Sequence, residues 1–303
     1  MHLKFGIDEF INERKFMNVS EHTIRRYEQQ FNQFNNYMTE NEVINVEEVT
    51  SNHVKSFLMN FQNDAPSTRN SRIRTLKSFF NFMFSCEVII EAKNPMKKIS
   101  YVREDVQIEV FSDEQIRQML AYYRRLKGRD KSFFAYRDHT IIIFLLATGV
   151  RLGEMCNLKW SDVDLDTGTI VVFGKKRQSR SIPITDKLTK ELLAYKHYVD
   201  NHFRFEPQYV FTNSLNHKMT TSAGKQIFQR LKAIMNFKNC RLSAHTFRHS
   251  FAHRCLMAGM DVFTLQKLLG HSKLDMTMRY VALWGTALRD QAEKYSPLNS
   301  LDI

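Results

Sequence analysis

The stretch YRDHTIIIFLLATGVRLGEMCNL, residues 136–158, decides how the second half of the chain folds. Its apolar run predicts a buried helix over about Tyr136–Thr148 that stops at Gly149, and a short helix follows near Gly153–Leu158. The strongly apolar part is far shorter than the roughly 20 residues that a membrane-spanning helix needs. We therefore expect a buried core helix and no membrane partner.

Arg151 opens the short helix, where a cation opposes the helix dipole. An anion bound at that helix end would remove the conflict, because the guanidinium and the backbone N–H groups would converge on it. A phosphate group fits this description. The alternative is an ordinary surface arginine that pairs with nearby Glu154, and this segment alone does not decide between the two.

A second polar cluster lies in SAHTFRHSFAH, residues 243–253. On a helix, His245, Arg248 and His249 share one face at i, i+3 and i+4. His253 continues the four-residue histidine spacing, which invites a zinc interpretation. A zinc-binding HExxH motif would need Glu where this motif has Thr, and Arg248 would repel a cation. We therefore expect no metal at this cluster.

The segment LLGHSKLDMTMRY, residues 268–280, supplies a third set of polar groups. Gly270 is expected to end a helix, His271 lies in the turn, and Ser272 can cap the helix that follows. Tyr280 falls late on that helix. By itself, such a tyrosine is most simply a core aromatic residue, so its meaning depends on the other segments.

Two short β-rich runs, Gly168–Gly174 and Arg180–Ile184, flank a basic loop. They predict a β-hairpin whose tip carries Lys175, Lys176 and Arg177. Helical patterns then resume over about Asp186–Asn201, Ser222–Met235, His245–Ala258, Val262–Leu269 and Leu274–Val281.

The first part of the chain predicts four amphipathic helices, over about residues 7–16, 20–38, 50–61 and 66–83. Two of them carry amide and basic side chains opposite the apolar face. This composition suits the major groove of DNA, because Arg, Asn and Gln can pair with base edges. An ordinary hydrated helix face is an equal alternative. The residues that we single out for DNA contact are Arg25, Gln29, Asn70, Arg74 and Lys77.

The domain organisation follows from where the helical pattern is interrupted. Asn94-Pro95 ends the first helical region, and a capping box at Ser112 and Gln115 opens the next. We predict an N-terminal domain over residues 1–96, a linker over 97–111, and a second domain with a C-terminal tail over 112–303. The fold class is mainly α with a small β-sheet, a four-helix domain followed by an α+β domain.

Charge and cysteine usage restrict the partners and the compartment. The chain of 303 residues carries a formal net charge of +12, and the excess lies in residues 111–303, which points to a polyanionic partner. The four cysteines show no CxxC spacing, so free thiols are expected. Acidic residues stand where a secretory signal would be apolar, so we expect a cytoplasmic protein.

The separated motifs together resemble one known family. ATGVRLGE, GKKRQSRSIPI, HTFRH and LLGHS, followed by Tyr280 nine residues beyond His271, are similar to the signature of tyrosine recombinases, the phage integrase family of DNA strand-transfer enzymes. The resemblance spans almost the whole chain, from a helical core-binding domain to a catalytic domain. One departure is the hairpin, where relatives often have Gly after the first Lys.

The resemblance assigns roles to residues of this chain. It implies that the catalytic residues are Arg151, Lys175, His245, Arg248, His271 and the nucleophile Tyr280, with Glu154 in support. Beside Lys175 on the hairpin, Lys176 and Arg177 are expected to contact DNA. The arginines would bind the scissile phosphate, and an electropositive pocket would help Tyr280 to lose its proton. Lys175 is the candidate general acid, and the base role stays open between His245 and His271.

The implied activity is site-specific cleavage and rejoining of DNA through a 3′-phosphotyrosyl intermediate, for integration, excision, resolution or transposition. It needs no metal, ATP or other cofactor. The implied partners are double-stranded DNA with inverted-repeat core sites and a homotetramer on two DNA sites, with an accessory protein or partner recombinase left open. The two-domain layout resembles Xer-like or transposon recombinases of bacteria, phages and mobile elements.

Two other functions remain as alternatives. A type IB topoisomerase has related chemistry but relaxes DNA, and the two-domain layout and the spacing from His271 to Tyr280 favour a recombinase. A non-catalytic DNA-binding protein would use the same basic surface but would leave the Arg, Lys and His set unexplained.

Overall fold

A computed structural model of the chain describes residues 1–104, 108–174, 179–238 and 240–283, and Ser296. Lys175, Lys176 and Arg177 of the predicted hairpin tip lie outside these residues. Among the residues described, no helix is long and apolar enough to cross a membrane. Backbone contacts divide the chain into two compact units, Met1–Val106 and Gln107–Ile303.

The N-terminal unit is built from four helices at the predicted places. They are α1 (Leu3–Phe16), α2 (Glu21–Glu40), α3 (Ser51–Met59) and α4 (Pro66–Ser85). Pro66 occupies the first turn of α4, where its missing N–H has no intrahelical role. Aromatic rings fill the core, and Phe10 makes edge-on contacts with Phe31 and Phe79 at 5.5 and 6.0 Å between ring centroids.

The second unit contains eight helices and three strands within the described residues. They are α5 (Asp113–Asp130), α6 (Phe133–Thr148), α7 (Leu152–Asn157), β1 (Val163–Asp164), β2 (Thr169–Phe173), β3 (Ser179–Pro183), α8 (Asp186–Phe203), α9 (Thr221–Met235), α10 (Ala244–Met257), α11 (Val262–Leu269) and α12 (Asp275–Leu283). The sheet is antiparallel in the order β1-β2-β3, with Val172 opposite Arg180. The predicted fold class, mainly α with a small sheet, is confirmed. The two-residue strand β1 was not predicted.

Helix α6 forms the centre of the second unit, as its apolar sequence requires. Ile141, Ile142, Phe144 and Leu145 are fully buried, and the helix packs against α5, α8 and α10. A helix that is apolar on nearly every side must be covered on every side. This packing holds the C-terminal end of α6 next to α10, where the polar motifs of the sequence lie.

The segment expected to be a linker is attached at both ends. Ile99 is buried in the core of the N-terminal unit. Phe111 is buried in the second unit, and its backbone N–H donates to Ser250 Oγ at 2.8 Å. The capping box that opens α5 forms as expected, with Gln115 N–H donating to Ser112 Oγ at 3.2 Å.

Candidate active site

The corner between α6 and α7 depends on a glycine. Gly149 ends α6 with φ +60°, and its N–H donates to the Leu145 carbonyl oxygen. A Cβ at this position would be strained by the positive φ and would overlap the Phe251 ring of α10. The turn therefore allows α10 to lie against the end of α6, two residues before Arg151 caps α7.

Glu154 holds Arg151 in place. Its Oε2 accepts the Arg151 backbone N–H and its Oε1 accepts Arg151 Nη1, both at 2.9 Å. Arg180 of β3 donates to the same two carboxylate oxygens at 3.0 and 2.8 Å. Burial alone would raise the pKa of Glu154, but the hydrogen bonds from Arg180 and Arg151 outweigh it and hold the pKa below its usual range. Glu154 is therefore ionised, and Arg151 is a fixed group.

Arg248 lies beside Arg151 and is buried. Its Nη1 donates to the Gly149 carbonyl oxygen at 2.9 Å and its Nη2 to the Leu269 carbonyl oxygen at 2.6 Å. Arg151 Nη1 approaches the same Leu269 oxygen at 3.5 Å, so the two guanidiniums share one carbonyl. Burial and then the charge of Arg151 lower the pKa of Arg248 to about 10, which leaves it protonated at neutral pH.

His271 follows directly after these backbone carbonyls. Helix α11 ends at Gly270 with φ +63°, and the turn buries the His271 ring. Its Nδ1 lies 2.9 Å from Thr277 Oγ1. Burial, followed by the charge of Arg248, lowers the pKa of His271 to about 4, so the ring is neutral at neutral pH. If Nδ1 accepts the threonine hydroxyl, Nε2 carries the hydrogen and can donate to an anion.

Tyr280 is buried beside two histidines. Its ring stacks on that of His271, with centroids 6.2 Å apart and an interplanar angle of 19°. Its hydroxyl lies 2.8 Å from His249 Nδ1. The His249 ring is in turn 6.1 Å from the ring of His245, which precedes it by four residues on α10. Side chains from α7, α10, α12 and the turn before α12 thus meet at one place.

Two opposing effects set the pKa of Tyr280. The surrounding cations were expected to lower it, but burial raises it above its ordinary value, and the charges of Arg248 and Arg151 offset this only in part. The lowering by the cations is therefore present as expected, but the burial of the phenol outweighs it in the net pKa. The phenol is therefore protonated at neutral pH. It can donate to His249, whose pKa is lowered to about 4 by burial.

Comparison with known proteins identifies the family. The profile of the phage integrase family matches residues 109–284, which is more than half of the chain. The chain belongs to the phage integrase family of tyrosine recombinases. A second profile, the phage integrase N-terminal SAM-like domain, matches residues 7–85 of this tyrosine recombinase.

Relatives match this tyrosine recombinase over nearly its full length. The tyrosine recombinase XerC of Thermodesulfovibrio yellowstonii is 26% identical, and the match covers 99% of this chain and 98% of the relative. The tyrosine recombinase XerD of Staphylococcus haemolyticus is 27% identical, with 96% and 98% covered. These names favour recombination over the topoisomerase and non-catalytic alternatives.

A solved structure shares the fold. The Tn1549 transposon integrase in complex with transposon right end DNA is 20% identical to this chain, with a TM-score of 0.77. The match covers 92% of this chain and 94% of the integrase. At this identity the likeness shows a common arrangement of helices and strands.

Two residues of the cluster, His249 and Arg180, were not predicted from the sequence as site residues. His249 shares a helix face with His245 and Arg248, and this position was the available signal. Arg180 had no such signal, because it is a single arginine in a short strand. Its pairing with Glu154, 26 residues earlier, exists only in the folded chain.

The polar faces of the N-terminal helices are partly as expected. Arg25 and Gln29 are exposed on α2, and Arg74 is exposed on α4. Lys77 is half-buried, with its Nζ 4.6 Å from the centre of the Tyr101 ring. Contact of these four side chains with DNA stays a prediction.

Asn70 does not belong to this exposed face. It is only 5% exposed. Its Nδ2 donates to the Val102 carbonyl oxygen at 2.8 Å, and its Oδ1 accepts the Val102 N–H at 2.7 Å. The expected groove-facing position is therefore wrong, because both polar atoms of the amide are occupied by the backbone of a passing segment. Asn70 fastens that segment to α4.

Proposed function

We propose that the chain cuts and rejoins DNA strands at specific sites with Tyr280 as the nucleophile. The observation that carries this proposal is the convergence of Arg151 and Arg248 on the carbonyls of residues 269 and 270, next to His271, whose ring stacks on Tyr280. Residues 112–303 act as the catalytic domain. Residues 1–96 act as the core-binding domain, with residues 97–111 as the linker.

The reaction exchanges one phosphodiester bond for another. The Tyr280 oxygen attacks the scissile phosphorus, a bond forms between phosphorus and that oxygen, and the bond to the 5′ oxygen breaks. The phenol proton passes to a histidine, and Lys175 gives a proton to the departing 5′ oxygen. Rejoining runs the same steps in reverse, with a 5′-hydroxyl as the attacking group. Because the phosphotyrosyl bond retains the bond energy, neither metal nor ATP is required.

Arg151 and Arg248 stabilise the transition state. The five-coordinate phosphorus carries added negative charge on its nonbridging oxygens, and guanidinium groups match two oxygens at once. Both side chains are already held by backbone carbonyls, so little reorganisation is needed when charge develops. Glu154 supports this arrangement by fixing Arg151.

The proton of Tyr280 is accepted within the histidine group His245, His249 and His271. His249 is the group closest to the hydroxyl, at 2.8 Å. With a pKa near 4 it is a weak base. A phosphate anion at the arginines would raise the pKa of neighbouring imidazoles, which favours the transfer.

The proposed substrate is double-stranded DNA with inverted-repeat core sites. The proposed compartment is the bacterial cytoplasm, and the gene belongs to a bacterium, a phage or a mobile element. We propose a homotetramer on two DNA sites as the active assembly, with an accessory protein or partner recombinase as a further requirement to be tested. The DNA contacts outside the catalytic cluster are assigned to Arg25, Gln29, Arg74, Lys77, Lys176 and Arg177. The exposure of the first three supports this.

Covalent capture tests the proposal. Purified wild-type protein and the Tyr280→Phe variant are mixed with fragmented bacterial DNA and denatured quickly, and the DNA that remains attached to protein is sequenced. We expect only the wild type to retain DNA, on fragments that share an inverted repeat, while both proteins bind DNA equally in a filter assay. Tyr209→Phe is the matched control and should behave as wild type. Adducts on Tyr280→Phe would refute the assignment.

A further inference from the structure

Arg180 makes more directed contacts than its place in a short strand requires. It lies on β3, and its side chain is 14% exposed. Its Nε donates to the Leu268 carbonyl oxygen at 2.8 Å, while Nη1 and Nη2 donate to the two carboxylate oxygens of Glu154. The guanidinium also lies against the turn at Gly270, where an added Cβ would come within 2.9 Å of Nη1. One side chain therefore joins the sheet, α7 and the end of α11.

The hydrogen bonds of Glu154 show why this matters to Arg151. The carboxylate accepts four donors, two from Arg151 and two from Arg180. Arg151 uses Nη1 for this contact and Nη2 for the Gly270 carbonyl, and its side chain stays 36% exposed. Since Glu154 is nearly inaccessible to water, its negative charge must be balanced by these two arginines.

The charges of the cluster also indicate that Arg180 matters to Arg151. Arg151, Arg180 and Arg248 are positive, Glu154 is negative, and His271, with a pKa near 4, is neutral at neutral pH. Because Arg180 supplies a second cation to Glu154, these ionised groups keep a net charge of +2 that is available to an anion. Without Arg180, Glu154 would neutralise Arg151, and one cation would face a phosphate that gains negative charge in the transition state.

We propose that Arg180 is a positioning residue that balances Glu154 and so keeps the charge of Arg151 available for the scissile phosphate. The inference rests on the proposed function, in which Arg151 binds that phosphate. The three guanidinium nitrogens of Arg180 are engaged within the protein, so this role requires no contact of Arg180 with DNA. A purely structural tie between the sheet and α11 would use the same contacts, so the test must respond to charge and not only to folding.

The test measures single-turnover formation of the covalent adduct on a synthetic duplex of the fragment recovered by covalent capture. We expect Arg180→Gln to slow the reaction by about 10², by analogy with the loss of one preorganised donor. Its affinity for DNA should change less than about threefold, since the guanidinium nitrogens of Arg180 are engaged within the protein. The double variant Arg180→Gln/Glu154→Gln removes the negative charge together with its partner, and it should regain most of the lost rate. Arg117→Gln, an exposed arginine of α5, is the matched control.

A second substrate separates charge from structure. Replacing the scissile phosphate by a methylphosphonate removes the charge of one nonbridging oxygen, so less positive charge is needed. On this duplex Arg180→Gln should slow the reaction by less than about tenfold relative to wild type. Thermal unfolding identifies variants that fail to fold. Arg180→Lys keeps the positive charge but cannot donate to both carboxylate oxygens as a guanidinium does, so its reaction rate should lie between those of wild type and Arg180→Gln.

The outcomes are distinguishable. Equal losses on the two duplexes, with a double variant no faster than Arg180→Gln, would overturn the inference and leave Arg180 as a structural tie. The proposed function would survive that result if the adduct still depends on Tyr280. An adduct that persists in Tyr280→Phe would overturn the proposed function, and the assignment of Arg180 would fall with it.

Discussion

The two units of the molecule bury different kinds of side chain. In the N-terminal unit, Asn70 and Thr75 are the buried polar side chains among the residues described, and the rest of the core is apolar and rich in phenylalanine. The second unit buries charged and titratable groups as well, namely Arg137, Asp138, His139, Glu154, Arg248 and His271. Burial of charge opposes folding unless each group is paired. The ionised groups of the second unit are paired, Arg137 with Asp138 and Glu154 with two arginines, so charges are held there in fixed positions.

This difference predicts how the two units respond to substitution. In the N-terminal unit, the loss of a buried side chain should appear as a loss of stability. In the second unit, the loss of a buried charge at the cluster should appear mainly as a loss of rate. Trp160 is buried in the second unit, and the N-terminal unit contains no tryptophan in its sequence, so tryptophan fluorescence does not report on the unfolding of the N-terminal unit.

The largest effect is expected for Phe31→Ala in the N-terminal core. The ring is fully buried against Phe10 and Phe79, so its removal should lower the free energy of unfolding of this unit by about 3–5 kcal/mol. Hydrogen exchange of the α2 and α4 amides measures the loss, while the fluorescence transition of the second unit should stay in place. Phe16→Ala removes a ring that is 84% exposed and serves as the control. A shift of both transitions would show that the units do not unfold separately.

Arg248→Ala should have the next largest effect, and on rate. Removing one of the two cations that face the phosphate should lower the single-turnover rate of adduct formation by about 10² to 10³. The exposed arginine variant Arg117→Ala should react as wild type. Because Arg248→Ala also leaves two backbone carbonyls without a donor, its fluorescence-detected unfolding is measured beside the rate. A folded variant with an unchanged rate would remove Arg248 from the catalytic set.

Acid should destabilise the second unit to a smaller degree. Burial lowers the pKa of His139 and His271 to about 4, whereas an unfolded chain titrates near 6.5. Between these values the unfolded state binds more protons, so stability is complete above about pH 6.5 and is lost as the pH falls towards 4. As the pH falls from 6.5 to 5.5, proton uptake by each of these imidazoles in the unfolded state should lower the free energy of unfolding by about 1 kcal/mol.

The urea midpoint from tryptophan fluorescence at these two pH values measures this effect. His139→Gln should reduce the pH dependence by removing one of the buried imidazoles. Neither ring nitrogen of His139 has a hydrogen-bond partner among the residues described, so the substitution breaks no hydrogen bond of that ring there. A midpoint that does not change with pH would contradict the buried neutral state of these rings. The N-terminal unit buries no histidine in its described part, which is why the effect is assigned to the second unit.

Much of the fold could be predicted because its signals are local. The apolar spacing in α2 and α4, Pro66 at a helix start and Gly149 at a helix end each act within a few residues. Part of the cluster could also be predicted from sequence motifs. Arg151, Arg248, His271 and Tyr280 lie in segments whose pattern is visible in the sequence. Lys175 falls outside the described residues, so its place stays a prediction.

What could not be predicted depends on contacts between distant residues. Asn70 was expected on a wet face because the sequence does not show that residue 102 returns to it. The raised pKa of Tyr280 follows from the burial of its phenol group in the folded chain, which no local pattern reports. The contacts of Arg180 with Glu154 and the Leu268 carbonyl form only when β3 is folded against α7 and the end of α11.

The four filled acceptor positions of Glu154 also constrain how this sequence can diverge. A lineage that loses Arg180 alone is left with a buried carboxylate that competes for Arg151, and one that loses Glu154 alone is left with a poorly hydrated cation. Either intermediate should be selected against. Among homologues, positions 154 and 180 should therefore change together or not at all, so substitutions at these two positions should be correlated across the family.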